Sequence, residues 1–209
     1  MAVSPPTSPS EVDADRALWK DGWYRYARCL RSPNFGPRPR ATAVSLIVLH
    51  SISLPPGQYG GDEVQLLFTN QLPAHAHPYF ETIHALKVSA HFYIRRGGEL
   101  WQFVSCDDRA WHAGVSVFDE RSNCNDFSVG IELEGLEGDA FEPDQYATLS
   151  ALCAAIAQCY PVANVAGHEH IAAGLKRDPG PGFDWLRLRR AIRCGQPFRT
   201  PGELAIAEP

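Results

Sequence analysis

Residues 44–50 read Val44-Ser45-Leu46-Ile47-Val48-Leu49-His50. A nearly continuous aliphatic run rich in β-branched residues marks a strand buried on both faces, because a half-exposed strand would alternate with polar residues. The run ends in a histidine and then in a Pro/Gly-rich segment, Leu54–Gly61 (LPPGQYGG). Open sheets place their ligand sites beyond the ends of such strands, so His50 is the first candidate for chemistry. A lone histidine there is more often a hydrogen-bonded structural residue than a ligand.

Working outward, Ser128–Glu134 (SVGIELE) alternates cleanly. Val129, Ile131 and Leu133 share one face, and Ser128, Gly130, Glu132 and Glu134 the other. Ala90–Arg96 and Glu99–Val104 flank Gly97-Gly98, a hairpin signal. Pro78 is expected to open a helix reaching about Leu86. Pro143 opens a longer one to about Cys159, with Leu149, Leu152, Cys153 and Ile156 as its apolar stripe. Asp184 caps a last helix, Trp185–Arg193. Strands mixed with helices predict an α/β fold, a single domain whose mixed central β-sheet is flanked by helices. Its expected span is 21–194, after a disordered leader at 1–20 rich in Pro, Ser and acidic groups, and before an irregular tail at 195–209.

The 209 residues are 44% apolar and 21% charged, which suits a soluble globular domain and excludes a disordered, collagen-like or coiled-coil chain. A net charge of −5 argues against a nucleic-acid partner. No apolar run approaches the roughly 20 residues of a membrane span, and the first 20 residues lack a basic start and an apolar stretch. No membrane partner and a cytoplasmic location are therefore expected, with the chain acting as a monomer. Cys29, Cys106, Cys124, Cys153, Cys159 and Cys194 have no zinc-knuckle spacing and read as reduced, mostly small buried groups.

Gly167–Phe183 carries four glycines and two prolines and little apolar content. A loop this long is uncommon in a compact domain unless it has a function. His168 and Asp178 within it can face one point only if the loop folds back. With His50 they would supply two imidazoles and a carboxylate, the ligand set of a catalytic zinc with a fourth place for water. Spacing alone does not single out these three. Glu132 is the best candidate base, since Ser128 and Gly130 beside it leave room above the sheet, whereas Glu134 fits a face that simply meets solvent. Lys176, two residues before Asp178, could touch a developing oxyanion or be an ordinary surface lysine.

Four blocks, IVLHSISLPPGQYGG, VSAHFYIRRGGELWQFVSCDDRAWHAGVS, CNDFSVGIELEG and GHEHIAAGLKRDPGPGFDW, closely resemble the cytosolic 1,6-anhydro-N-acetylmuramyl-L-alanine amidases of AmpD type. The resemblance runs from about Gly22 to about Ile192. It implies a zinc amidase with a peptidoglycan-recognition-type fold. The implied reaction is hydrolysis of the amide between anhydro-muramic acid and L-alanine of the stem peptide, in cell-wall recycling, with an influence on β-lactamase induction. Carried over by position, the resemblance implies Zn2+ on His50, His168 and Asp178, Glu132 and Lys176 as catalytic groups, and an anhydro-muropeptide substrate against Trp111. A core role for Trp111 stays open. Tyr59 lies in an expected wall of the substrate site. Ser51 stands where the family has Asn, Lys87 and Asn123 where it often has arginines, and Arg121 is near enough to Asn123 to compensate. His170 replaces an acid of the family motif and is expected outside the metal set. An exported amidase acting on intact peptidoglycan and a non-catalytic peptidoglycan-binding domain are the rival readings.

Overall fold

In the computed structural model, which describes residues 18–192 and 198–201, the aliphatic run becomes the second strand of a six-stranded sheet. In chain order the strands are β1 (Arg28–Cys29), β2 (Leu46–Ile52), β3 (Phe92–Ile94), β4 (Leu100–Gln102), β5 (Ser128–Glu134) and β6 (Asn164–Gly167). Their spatial order is β6-β2-β5-β3-β4-β1. The β6, β2, β5 and β3 strands run parallel, β3 and β4 form the expected hairpin, and β1 lies parallel to β4. The sheet is mixed, as the sequence predicts. Leu46, Ile47, Val48 and Leu49 are fully buried because β2 has a parallel neighbour on each side and a layer on each face.

Five helices cover the sheet: α1 (Glu63–Phe68), α2 (Pro78–Ile83), α3 (Pro143–Cys159), α4 (His168–Ile171) and α5 (Trp185–Ala191). Proline opens α2 and α3, where its missing N–H costs nothing. Gln145 Oε1 accepts the Glu142 N–H at 3.0 Å, which fixes the start of α3. Asp184 Oδ1 accepts the Arg187 N–H at 2.8 Å and caps α5. Ile47, Leu49, Val129, Ile131 and Leu133 pack on Leu149, Leu152, Ile156 and Leu188 of α3 and α5. The other face is covered by α1, α2, α4 and ordered loops.

Open space or solvent was expected on that second face, and the structure keeps it only beside Glu132, which lines a cavity. Ser128 is fully buried and Glu134 nearly so. Glu134 is a clamp: it accepts the Gly60 N–H at 2.5 Å and the Arg96 N–H at 3.0 Å, joining the LPPGQYGG segment to the hairpin. The space above Gly130 is filled by the His112 ring, whose Cγ would lie 2.4 Å from a Cβ at that position. Gly130→Ala should therefore destabilise the fold by about 1–3 kcal/mol, the usual cost of overpacking. Chemical denaturation measures this, and an unchanged midpoint would reject the close approach.

Beneath this layer the mostly buried Arg38 guanidinium donates to the carbonyls of Cys106, Asn125, Asp126 and Ser128 at 2.9–3.2 Å. Charge-assisted bonds of this kind contribute roughly 1.5–3 kcal/mol each. They pin the loops that carry His112.

The domain limits differ from the expected ones. Of the leader expected at 1–20, residues 1–17 lie outside the described residues, but Trp19–Lys20 pairs with Trp23–Tyr24. Trp19 also packs edge-on against Phe92 and Tyr160, because an indole has more apolar surface to bury than a polar leader would offer. Of the tail expected at 195–209, Phe198 is buried, and Arg199 bonds Ala163 and Val165 at the β6 edge. Residues 195–197 and 202–209 lie outside the described ones. Helix α2 stops at Ile83 and α5 at Ala191, short of the expected ends. Helix α1 was not anticipated, since its Val64, Leu67 and Phe68 give a helical stripe only one turn long.

Candidate metal and catalytic site

The parallel register sets His50 of β2 directly beside Glu132 of β5, with Tyr93 of β3 next in line. Paired residues project to the same face, so both side chains reach the carboxyl ends of the strands together. His168 is the first residue of α4, immediately after β6. The glycine before it is required: a Cβ on Gly167 would sit 2.8 Å from Pro179 Cδ. The Glu169 N–H donates to the Asp178 carbonyl at 2.9 Å, folding the loop back on itself. That contact brings Asp178 to His168.

His50 Nδ1 is 3.0 Å from His168 Nδ1 and 3.0 Å from Asp178 Oδ2, and His168 Nδ1 is 3.1 Å from the same oxygen. The three atoms form a nearly equilateral triangle. A tetrahedral centre with arms of about 2.0–2.1 Å to nitrogen and oxygen has edges of about 3.3 Å, so the donor set fits a divalent metal closely. Burial pushes the His50 imidazole down to about 4, with the Asp178 carboxylate opposing. Burial raises the Asp178 carboxyl, but the His168 and His50 rings beside it outweigh this and hold the group well below the usual carboxylate range. Neutral imidazoles and an ionised carboxylate are the forms that bind metal.

Glu132 differs from Asp178. Its Oε2 is buried and has no hydrogen-bond partner among the described residues. Burial, with Asp178 adding, raises its carboxyl well above the ordinary value, while Lys176 opposes. Such an environment suits a proton acceptor working near neutrality.

These groups line a cavity of about 820 Å3. His50, Ser51, Trp111, Glu132, His168, Lys176 and Asp178 all face it, and Tyr79, Ile83, Leu86 and Val88 form an apolar wall. The half-buried Trp111 is a cavity wall rather than a core residue. Four expected substrate contacts are not brought there. Tyr59 donates to Asp139 Oδ2 at 2.6 Å and lies under the Arg96 guanidinium, turned toward the hairpin. Lys87 is exposed beside the lining residues Leu86 and Val88 without lining the cavity. Arg121 stacks over Phe127 and reaches Ser45 Oγ, so it does not compensate for Asn123, which occupies a left-handed turn before a short 3-10 helix. His170 Nδ1 accepts the Gly167 N–H at 3.0 Å and its ring meets Trp185, outside the metal triangle.

Sequence reasoning gave His112 no role of its own beyond its place in the Trp111–Ser116 block, an expected wall of the substrate site. His112 lines the cavity and its Nδ1 is 2.9 Å from His50 Nε2. The only signal was its place directly after Trp111 in the AWHAG block.

Residues 40–181 match the model of the N-acetylmuramoyl-L-alanine amidase family, and the chain belongs to that family. Within it, the chain is 49% identical over 174 residues to the 1,6-anhydro-N-acetylmuramyl-L-alanine amidase AmpD of Escherichia coli K12, covering 82% of this chain and 95% of that relative. The crystal structure of a selenomethionine AmpD derivative superposes with a TM-score of 0.81 at 48% identity, over 84% of this chain and 99% of the other. AmpDh3 of Pseudomonas aeruginosa in complex with anhydromuramic pentapeptide is more distant, at 29% identity and a TM-score of 0.54, over 75% of this chain and 63% of that one.

Proposed function

We propose that this chain hydrolyses the amide joining the lactyl group of 1,6-anhydro-N-acetylmuramic acid to L-alanine of a stem peptide, with Zn2+ as cofactor. His50, His168 and Asp178 hold the ion. The reading includes a monomeric enzyme in the cytoplasm, acting in cell-wall recycling and lowering the muropeptide signal for β-lactamase induction. The observation that carries it is the 3.0–3.1 Å triangle of donor atoms beside an unpartnered, buried Glu132 oxygen. The names and substrates of the relatives support the choice of substrate.

When bound, zinc polarises the scissile carbonyl and lowers the pKa of its water to about 7. Glu132 takes one proton from the attacking water. It then delivers that proton to the amide nitrogen as the carbon–nitrogen bond breaks, releasing a lactyl carboxylic acid and the free amine of the peptide. The Lys176 ammonium stabilises the oxyanion of the tetrahedral stage. Trp111 and the wall of Tyr79, Ile83, Leu86 and Val88 enclose the sugar and the first peptide residues, with Ser51 also lining the cavity.

Two measurements on the purified protein test the reading. Elemental analysis should give one zinc per chain. Turnover on a soluble anhydro-muropeptide should greatly exceed turnover on intact sacculi. The reverse preference would assign an exported wall amidase, and binding without turnover a recognition domain; either overturns the proposal.

A further inference from the structure

A short polar chain runs from the metal triangle into the sheet, and each of its links has only one workable polarity. The Cys124 carbonyl can only accept, and Ser128 Oγ lies 2.6 Å from it, so the serine proton points there. That leaves Ser128 Oγ to accept from His112 Nε2 at 3.2 Å. With its proton on Nε2, His112 presents a bare Nδ1 to His50 Nε2 at 2.9 Å. The His50 proton must therefore sit on Nε2, which leaves its Nδ1 lone pair facing His168 and Asp178.

The other imidazole of the triangle reaches the same state by a shorter route, since His168 Nε2 donates to the Ala113 carbonyl at 3.1 Å. His91 touches the His112 ring but is not a link: its Nδ1 already accepts the Gly130 N–H at 3.0 Å. The His112 ring is fixed from two sides. Gly130 leaves the space it fills, and Asn125 Oδ1 accepts both the His112 and Ala113 N–H groups at 3.0 and 2.8 Å.

We propose that His112 and Ser128 are positioning residues that set the tautomer of His50 and so hold its Nδ1 ready as a metal donor. The inference rests on the metal reading above and adds two residues outside the donor set. Outer partners of metal-bound histidines commonly govern affinity by about 10–100-fold. Here the partner is a second imidazole, itself oriented by a serine.

The test uses metal-free full-length protein and two readouts besides turnover. Zn2+ affinity is measured by competition with a chromophoric chelator, and the His50 ring tautomer by two-bond 1H–15N NMR correlations. Wild type should show a single Nε2–H form. His112→Leu should weaken zinc about 10–100-fold and give mixed His50 tautomers. His112→Asn places an amide oxygen near the former Nδ1 and should restore most of the affinity, which a packing role alone would not do. Ser128→Ala should weaken zinc and mix the tautomers in the same direction, and it decides the matter if His112→Leu does not fold. Wild-type affinity with an unchanged tautomer in a folded His112→Leu or Ser128→Ala protein would overturn the proposal. Failure of wild type to bind zinc would instead remove the metal reading, and the His50 tautomer would still judge the relay.

Discussion

Glu132→Gln is expected to lower kcat on an anhydro-muropeptide by about 10²–10⁴-fold while zinc content and melting temperature stay close to wild type. The variant keeps the shape of the side chain and removes its ability to accept a proton. Glu132 makes no bond to the metal triangle, and its Oε2 has no partner among the described residues to lose. The loss should fall on kcat more than on KM, because the missing interaction belongs to the transition state. In free-energy terms it corresponds to about 3–5 kcal/mol of barrier. Turnover within a few-fold of wild type would exclude Glu132 as the base.

His168→Ala should act earlier and further. The ring offers one of three converging donor atoms and also the proton that satisfies the Ala113 carbonyl. Removing it leaves only His50 and Asp178 of the three donors. Zinc affinity should fall by more than the roughly 10–100-fold seen when an outer partner is lost, and activity should drop to background. Elemental analysis of the purified variant, with circular dichroism to show that it is folded, gives the answer. Full zinc occupancy would reject His168 as a ligand.

These two expectations draw on residues that the sequence made visible to different degrees. The central strand was legible because an aliphatic run without alternation has few places to go except a doubly covered position. The bounds of β5 and α3 followed from strict alternation and from Pro143. His50 could be placed at a strand end and Glu132 on the polar face of another strand, but their adjacency is a matter of register, which depends on pairing between distant segments. Asp178 was nameable only with the condition that its loop fold back, and a single backbone bond from Glu169 supplies that fold.

The side chains that do not line the cavity are also turned by physical causes. Tyr59, Arg121 and Asn123 lie in blocks that match the family, yet neighbouring groups decide their direction: Asp139 and Arg96 for Tyr59, Phe127 for Arg121, a left-handed turn for Asn123. Linear position carries no information on such local partners. The small residues on the second face of β5 were read as room for substrate. They make room for an imidazole instead, and that same reading hid His112.

The loop fold that delivers Asp178 has a consequence for biosynthesis. The carboxylate stands 128 residues downstream of His50, and parallel neighbours cannot pair until the segments between them have been made. A nascent chain that ends before His168 therefore carries only one of the three donor side chains. On the proposed metal reading, an ion would close a cradle after the β2–β5 pairing is already possible, as a seal on the fold rather than a seed for it.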